Sequence, residues 1–395
     1  MQKYYFIILA IYVFILPQYA KASVDETNLF YELLFYSLLF VSTLQILHLI
    51  ISEKIFNIFT QNKAIWLFVF MFISGASFFW SEAFEPKVHF FQIVKIIVVI
   101  IPLNFLNFDN KQLDLLLKIF FIGTILGSFQ VIYNYYYDAE FYYGIKRSYI
   151  KGIDSNESAV LLSIGYCLSL FYFYSKKNVL FLFATTPQIA AVFYTGSRTG
   201  FISLLIGSLM ALYLFGIFKF KIKSILIVVS LVIGFFFLQI ALPSENIARI
   251  FNTGEDISTG EMSGRKEIWE HSMSLIPERL LGGYGMNSFA DILERTYMRF
   301  NAHNVFIKAQ FELGIIGIIP LLLWLIISFK KILNNQTEYK PLLLTLFLII
   351  LISFMQLSWI YSINLLVINA ILINIAVLKR FETVDDDKPS LIMVS

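Results

Sequence analysis

The sequence has little charge and almost no cysteine, and both shortages exclude classes of protein. Of its 395 residues 14% are charged, 17% are aromatic and 58% are hydrophobic, whereas roughly 25% of an average soluble domain is charged. The mean hydropathy is +0.74. This balance excludes a soluble globular protein and a disordered chain. The single cysteine, Cys167, excludes a disulfide framework and a cysteine-based metal site.

Several motifs of common enzymes are also missing from the sequence. It has no P-loop, no dinucleotide-binding glycine motif and no His-Glu-x-x-His motif. Its only acidic run, Asp385 to Asp387, lies in the C-terminal tail, which does not support a nucleotide-sugar enzyme that holds a metal through paired aspartates. The apolar segments are not interrupted in matching pairs, as an inverted-repeat transporter would suggest.

Long apolar runs dominate what is present. A membrane-spanning helix needs about 20 apolar residues, and the runs are continuous, whereas the strands of a membrane barrel alternate apolar and polar residues. The runs cover residues 4–20, 29–51, 64–80, 88–108, 115–137, 158–175, 179–196, 199–218, 222–242, 303–329, 341–360 and 361–378. We therefore predict an all-α polytopic membrane protein with about twelve transmembrane helices.

The distribution of basic residues predicts the orientation. With the N-terminus in the cytoplasm, 16 of the 30 lysines and arginines fall in short cytoplasmic loops or at the cytoplasmic termini, as the positive-inside rule requires. The first run follows Lys3 and ends in Ala20-Lys21-Ala22, which resembles a signal peptide with its cleavage site. We favour a retained first helix, and the downstream topology is the same in both cases.

One external loop is much longer than the others. The predicted organisation is nine transmembrane helices in 1–242, a periplasmic loop in 243–301, helices ten to twelve in 302–378 and a cytoplasmic tail in 379–395. Apolar residues at helical spacing predict two short amphipathic helices in the loop, separated by a glycine turn. These features span Ser263–Ile276, Asn287–Phe300 and the turn Gly282 to Gly285. The alternative is a solvated spacer.

A histidine at the outer end of the tenth run is the first candidate site residue. If the helix includes His303, then Gln310, Gly314 and Gly317 lie on the same stripe. The glycines would let a neighbouring helix approach closely, with His303 at the mouth of the resulting groove and Asn304 beside it. The alternative is a packing stripe with an incidental interfacial histidine.

Two arginines on the same face could bind an anion. Arg198 lies in the tight turn Gly196-Ser197-Arg198-Thr199-Gly200, and its planar guanidinium suits phosphate oxygens. Arg265 begins the first loop helix, where free N–H groups and the helix dipole favour an anion. The alternatives are an interfacial Arg198 that only reaches the headgroups, and a salt bridge from Arg265 to Glu261 or Glu267.

Other basic residues are weaker candidates for lipid or glycolipid binding. Lys146, Arg147 and Lys151 lie among tyrosines in the external stretch 138–157, a combination that suits a phosphorylated glycolipid. Simple tolerance of charge is the alternative. Lys95 falls inside the fourth run, where an ionisable residue is a functional candidate by default, although its side chain could also extend to the helix end.

Four short motifs together resemble the O-antigen ligase family. They are Ser197-Arg198-Thr199-Gly200, Gly264-Arg265 with Trp269, Gly283-Tyr284-Gly285, and Ala302-His303-Asn304 followed by nine residues and Gly314-x-x-Gly317. The last motif matches the family's histidine signature in full. O-antigen polymerases and some protein O-oligosaccharyltransferases share this core.

The resemblance implies an inverting glycosyltransferase on the periplasmic side of a bacterial inner membrane, without a metal or other cofactor. Its partners would be a glycan donor on undecaprenyl pyrophosphate, a lipid A–core acceptor and membrane lipids, with no nucleic acid. Arg198 and Arg265 would hold the pyrophosphate, and Arg279 is an alternative to Arg265. His303, with an ordinary pKa, would orient or deprotonate the acceptor hydroxyl.

Two other functions compete with the ligase. A polymerase would add the glycan to a second lipid-linked glycan, but family polymerases often have two long basic external loops. Here one loop is long, and it carries six basic against nine acidic residues. A transporter would bind the same lipid without forming a bond, and is expected to place polar groups near the bilayer midplane, whereas these cluster at one face.

Overall fold

Helices make up most of the described structure. The computed structural model describes residues 2–18, 29–52, 65–106, 108–142, 145–151, 153–214, 244–251, 265–296, 301–358 and 362–377. Within these ranges the only sheet is a two-stranded antiparallel hairpin, in which Glu140 pairs with Arg147 and Phe141 with Lys146. The predicted all-α architecture therefore holds, apart from this hairpin.

Helices α1 to α15 are numbered in chain order over the described residues. The helices are α1 Gln2–Ile15, α2 Leu29–Ile51, α3 Ile65–Ala76, α4 Pro86–Phe105, α5 Asn110–Tyr137, α6 Ser155–Lys176, α7 Leu180–Phe183, α8 Thr185–Tyr194, α9 Arg198–Leu214, α10 Ser244–Phe251, α11 Arg265–Leu275, α12 Phe289–Thr296, α13 Val305–Asn334, α14 Lys340–Gln356 and α15 Ile363–Val377. Short 3₁₀ helices cover Ser77–Trp80 and Ile276–Arg279, and the strands are β1 Glu140–Tyr142 and β2 Ile145–Arg147.

Five of these helices are long and apolar enough to cross a membrane: α2, α4, α5, α6 and α13. Shorter apolar helices lie at α1, α3, α7 with α8, α9, α14 and α15. Together they coincide with eleven of the twelve predicted runs, and the closely spaced pair 341–360 and 361–378 is indeed two helices. The run 222–242, the Ala20 to Ala22 segment and the tail 379–395 lie outside the described residues. The number of membrane crossings stays a prediction.

Helix α6 lies at the centre of the bundle. All its residues from Ser158 to Tyr172 are buried, and it packs against α5, α8, α9 and α14. Because neighbours surround it, the helix is apolar on every side. Its polar side chains are satisfied internally: the hydroxyl of Ser169 donates to Gln188 Oε1 at 2.7 Å.

The loop residues 265–296 form two helices, as predicted, and they are folded. Helix α11 lies within the predicted Ser263–Ile276 segment, and α12 within Asn287–Phe300. The two helices, the glycine turn between them and α13 share a separate apolar cluster that includes Ile268, Phe289 and Phe311. A solvated spacer therefore does not describe residues 265–296.

Helix α13 is broken at Gly314, and the loop's glycine turn docks into the break. Gly314 has φ 60° and ψ −159°, which is not helical. The N–H groups of Tyr284 and Gly285 donate to the carbonyls of Phe311 and Glu312 at 3.0 and 2.7 Å. In return, the N–H groups of residues 315 and 316 donate to the carbonyls of residues 280 and 281 at 3.0 and 3.2 Å. The turn thus replaces hydrogen bonds that a continuous helix would have made.

This break corrects the predicted stripe. Gly314 was expected to let a neighbouring helix approach, but it receives the loop turn instead. Gly317 is close to Leu313 of its own helix, since a side chain added at Gly317 would overlap Leu313. The helix also begins at Val305, so His303 lies outside it. The angular count from His303 to Gly314 and Gly317 is therefore wrong, because it assumes a regular helix throughout.

The loop is also fastened to the connection between α3 and α4. The indole N–H of Trp80 donates to the carbonyl of Gly282 at 2.9 Å, and the hydroxyl of Ser81 to that of Met286 at 2.8 Å. The backbone N–H of Phe84 donates to the Asp291 carboxylate at 2.7 Å. These bonds and the break at Gly314 fix the loop from two sides.

The docking predicts that Gly314→Ala destabilises the protein. The alanine would need a backbone region essentially confined to glycine, at about 1–3 kcal/mol of strain, and its methyl group would overlap the carbonyl of Leu281. We expect a lower midpoint of thermal unfolding in detergent micelles, followed by tryptophan fluorescence. The matched control is Gly75→Ala in α3, where the added methyl group makes only ordinary contacts at 3.9 Å and beyond. Equal midpoints for the two variants would contradict the proposed role of the break.

Candidate functional site

His303 lies in the short connection that leads from the loop into α13. Its φ of 47° places it in the left-handed region, which is uncommon for a residue other than glycine. Its backbone N–H donates to the hydroxyl of Ser358 at 2.6 Å, which ties it to the end of α14. The next residue, Asn304, caps α13, since its side-chain oxygen accepts from two N–H groups of the first turn at 2.9 and 3.1 Å.

Arg265 lies on the helix that is tied to the His303 connection. It is the first residue of α11, as predicted, and Gly264 before it lies outside the described residues. One turn further along, the indole N–H of Trp269 donates to the carbonyl of Ala302 at 2.6 Å. This bond brings the start of α11 towards His303, and the charge of Arg265 acts on the imidazole.

The environment of His303 keeps its imidazole neutral. Burial lowers the pKa of His303 from 6.5 to about 4, and the nearby positive charge of Arg265 acts in the same direction. The expectation of an ordinary pKa is therefore wrong. At neutral pH the ring is an uncharged group that can accept one hydrogen bond and donate another.

Arg198 begins α9 directly after a tight turn, as predicted. Gly196 has φ 59°, which places the turn in the left-handed region that favours glycine. Within the turn, the hydroxyl of Ser197 accepts from the backbone N–H of Gly200 at 3.2 Å. The side chain of Arg198 is half-buried, and the turn fixes where it leaves the backbone.

The start of α6 connects the arginine turn with the histidine connection. The Oδ1 atom of Asn156 accepts from Ser197 Oγ at 2.9 Å. The next residue, Glu157, accepts from the hydroxyl of Ser362 at 2.8 Å. Ser362 lies just before α15, in the same connection as Ser358, which binds His303. Arg198, His303 and Arg265 are thereby brought to one end of the helix bundle.

Arg279 and Lys95, two other predicted site residues, contact partners outside the His303 connection. Arg279 forms a salt bridge with Glu82 at 3.3 Å and lies on the wall of a cleft of about 530 Å³ next to Trp80. The ammonium of Lys95 lies 5.3 Å from the ring centre of Tyr36. Because the charge of Arg265 acts on His303 directly, the geometry favours Arg265 over Arg279 as its partner.

The hairpin residues have three different environments. The ammonium of Lys146 lies 4.6 Å from the ring centre of Tyr135, and Lys151 is half-buried after the hairpin. Arg147 is only 7% exposed. Its guanidinium donates to the carbonyl of Thr195 at 2.9 Å and to Asn156 at 3.1 Å, so it faces the turn that precedes Arg198.

The sequence analysis did not select Asn156, Glu157, Ser358 or a buried ion pair on α13. Lys308 Nζ lies 3.6 Å from Glu312 Oε1, and both side chains are buried. Lys308 also donates to Asn287 in the loop at 3.3 Å, and Glu312 accepts from the backbone N–H of Phe289. Their spacing of four residues on a helix is a usable sequence signal, whereas the partners of Asn156 come from distant parts of the chain.

The described residues thus form a helical membrane protein with arginines and a histidine gathered at one end of the bundle. Residues 179–322 match the family described as O-Antigen ligase. The match contains all four motifs and confirms the resemblance seen in the sequence. It suggests a ligase-type or polymerase-type function that uses a lipid-linked glycan. No curated protein matches this sequence.

We expect the His303 imidazole to titrate with a pKa of about 4, well below its ordinary value of 6.5. Histidine NMR signals of labelled protein in micelles measure this, and His303→Gln identifies the signal. Arg265→Gln should raise the pKa but leave it below 6.5, because burial is the larger cause. A titration midpoint at 6.5 in the parent protein would contradict this environment of the half-buried ring.

The lowered pKa of His303 also makes the stability of the protein depend on pH. Between pH 6.5 and about 4 the unfolded chain binds a proton at this residue that the folded chain does not, because folding lowers the pKa. The free energy of unfolding therefore falls as the pH falls through this window, and this histidine has no effect above it. The decrease should be smaller in His303→Gln, measured by chemical denaturation in micelles.

Proposed function

We propose that the protein is a polysaccharide ligase of the bacterial inner membrane. It transfers a glycan from undecaprenyl pyrophosphate to a sugar hydroxyl of lipid A–core at the periplasmic face. The family match supports a reaction of this general type. The positive-inside distribution of lysines and arginines supports a periplasmic position for the connections that carry Arg198, Arg265 and His303.

In the proposed reaction the acceptor oxygen attacks the anomeric carbon from the face opposite the pyrophosphate. The new glycosidic C–O bond forms as the bond to the pyrophosphate oxygen breaks, so the configuration inverts. The bonding pair leaves with the lipid pyrophosphate, and the acceptor loses its proton. Arg198 and Arg265 would stabilise the charge that develops on the leaving group, which electrostatic interactions can do without a metal.

The observation that carries this proposal is that the start of α6 links the Arg198 turn to the connection that holds His303. Asn156 and Glu157, adjacent at the start of α6, bind the Arg198 turn and the segment before α15. Ser358 in the same connection binds the backbone of His303. A histidine that meets the acceptor and arginines that meet the pyrophosphate need this proximity, because the bond that forms and the bond that breaks share one carbon atom.

The lowered pKa refines the role of His303. An imidazole with a pKa of about 4 is neutral at physiological pH and can accept a hydrogen bond, but it is a weak base. We therefore assign His303 first to orienting the acceptor hydroxyl. It accepts the proton late, once the C–O bond has largely formed and the hydroxyl has become acidic. Activity should persist well below pH 6.5 for the same reason.

The remaining basic residues are proposed to contact the lipid-linked donor. Lys146 lies on the hairpin and Lys151 follows it, and the N–H of Ser148 binds this segment to the carbonyl of Tyr194, just before the Arg198 turn. Arg279 lies on the wall of the cleft beside Trp80, and Lys95 lies on α4 against the ring of Tyr36. Asn304 is committed to capping α13, so its contribution to binding is the position it gives His303.

A polymerase and a transporter make different products from the same donor. The single long loop, with more acidic than basic residues, favours the ligase over the polymerase. The joining of Arg198, Arg265 and His303 at one end of the bundle favours either enzyme over a transporter. A reaction with purified protein in proteoliposomes separates the three.

The ligase predicts a product that contains lipid A–core and forms only when both the lipid-linked glycan and lipid A–core are present. Gel electrophoresis and mass spectrometry detect it. Elongated lipid-linked glycan formed without lipid A–core would show a polymerase. No new glycosidic bond with either acceptor would contradict both enzymes.

Two substitutions test the assigned roles in this reaction. Arg198→Lys keeps the charge but loses the planar pair of donors, and we expect kcat/KM to fall by about 10²-fold. His303→Ala should lower it by about 10²-fold, because it removes the group that orients the acceptor hydroxyl. The matched control is Arg295→Lys, since Arg295 pairs with Glu82 at 3.7 Å on the far side of the loop. If Arg198→Lys and Arg295→Lys both retain parent activity, paired phosphate binding at Arg198 is wrong.

A further inference from the structure

Arg147 has a geometry that suits a structural link better than a glycolipid contact. Its side chain is 7% exposed, although arginine is almost never fully buried unless it is paired. Its Nε donates to the carbonyl of Thr195 at 2.9 Å, and its Nη2 donates to Asn156 Oδ1 at 3.1 Å. Both partners belong to the elements that place Arg198.

The turn before Arg198 is held by a small network around this guanidinium. Asn156 Oδ1 accepts from Arg147 and also from the hydroxyl of Ser197, at 2.9 Å. The backbone of the hairpin adds a further link, because Ser148 N–H donates to the carbonyl of Tyr194 at 3.0 Å. Arg147 therefore joins the hairpin, the start of α6 and the turn on the N-terminal side of Arg198.

The turn packs between Arg147 and Asn246. Gly196 adopts a left-handed conformation, and a side chain there would approach Arg147 Cγ at 3.6 Å and Asn246 Oδ1 at 3.3 Å. Asn246 is buried, and its amide group donates to the carbonyls of Phe193 and Tyr194 at 3.3 and 3.4 Å. The turn is thus enclosed between two polar side chains, one from each flank.

We propose that Arg147 is a positioning residue that acts through Asn156 and the Thr195–Ser197 turn to fix the guanidinium of Arg198 for the donor pyrophosphate. This rests on the proposed function of Arg198. The buried charge suits the role, because a guanidinium presents several donors in a rigid plane and can bind a carbonyl and an amide oxygen together. Arg147 thus supports the donor site from behind, without contacting the donor.

A double-mutant cycle between Arg147 and Arg198 tests the proposal in the purified ligase reaction. Arg147→Lys keeps the charge but cannot bind both oxygens with one rigid plane, and we expect kcat/KM to fall by about 10-fold, mainly through a higher KM for the lipid-linked donor. The double variant Arg147→Lys with Arg198→Ala should be as active as Arg198→Ala alone, within about threefold. Asn156→Ala should show the same non-additivity with Arg198→Ala, because it removes the shared acceptor.

A control separates positioning from general stability. Arg295→Ala also removes an arginine that donates to a carbonyl, since Arg295 binds the carbonyl of Glu82 at 3.0 Å. Glu82 lies between α3 and α4 and has no part in the Arg198 turn. The effect of Arg295→Ala on kcat/KM should multiply with that of Arg198→Ala. Thermal midpoints in micelles confirm that each variant is folded before its kinetics are compared.

The outcomes distinguish this inference from the proposed function. If the effects of Arg147→Lys and Arg198→Ala on kcat/KM multiply, the positioning role is wrong and Arg147 contacts the donor directly. An unchanged KM for the donor in Arg147→Lys would also overturn it. Absence of product with the parent protein would instead contradict the proposed function, independently of the cycle.

Discussion

The exchange of main-chain hydrogen bonds between the glycine turn and the broken helix α13 is the interaction on which the position of residues 265–296 depends. A backbone group without a partner is costly wherever water is excluded, so a helix can break there only if another segment satisfies it. The turn Gly283-Tyr284-Gly285 does so, and the loop on either side of it follows. Helix α11 then carries Arg265 towards His303, while α12 packs under the same turn.

Much of the fold could be predicted from the sequence, because the bilayer imposes a simple rule on length and polarity. The apolar runs at 115–137 and 158–175 coincide with helices α5 and α6, and their ends fall near the capping residues Asp109 and Asp154. The helix at 263–276 was visible from apolar spacing alone. The hairpin at 140–147 was missed, because two strands of three residues are too short to show a period.

The residues of the candidate site could be selected from the sequence, but their surroundings could not. Arg198, Arg265 and His303 were selected from local motifs, and the structure brings them to one end of the bundle. The stripe from His303 to Gly317 was wrong because two interruptions of the helix, at Asn304 and at Gly314, change the angular count. The partners of Arg147 could not be predicted, since Thr195 lies 48 residues away along the chain and only packing brings them together.

The dock at the helix break is made by carbonyl and N–H groups, so it does not depend on which side chains residues 280 and 281 carry. Leu280 and Leu281 contribute only their carbonyls to residues 315 and 316, and both side chains are exposed. Substitutions on this exposed edge of the turn should therefore leave the dock in place, whereas the inner face of the turn, where Tyr284 stacks on Phe311, is held by packing.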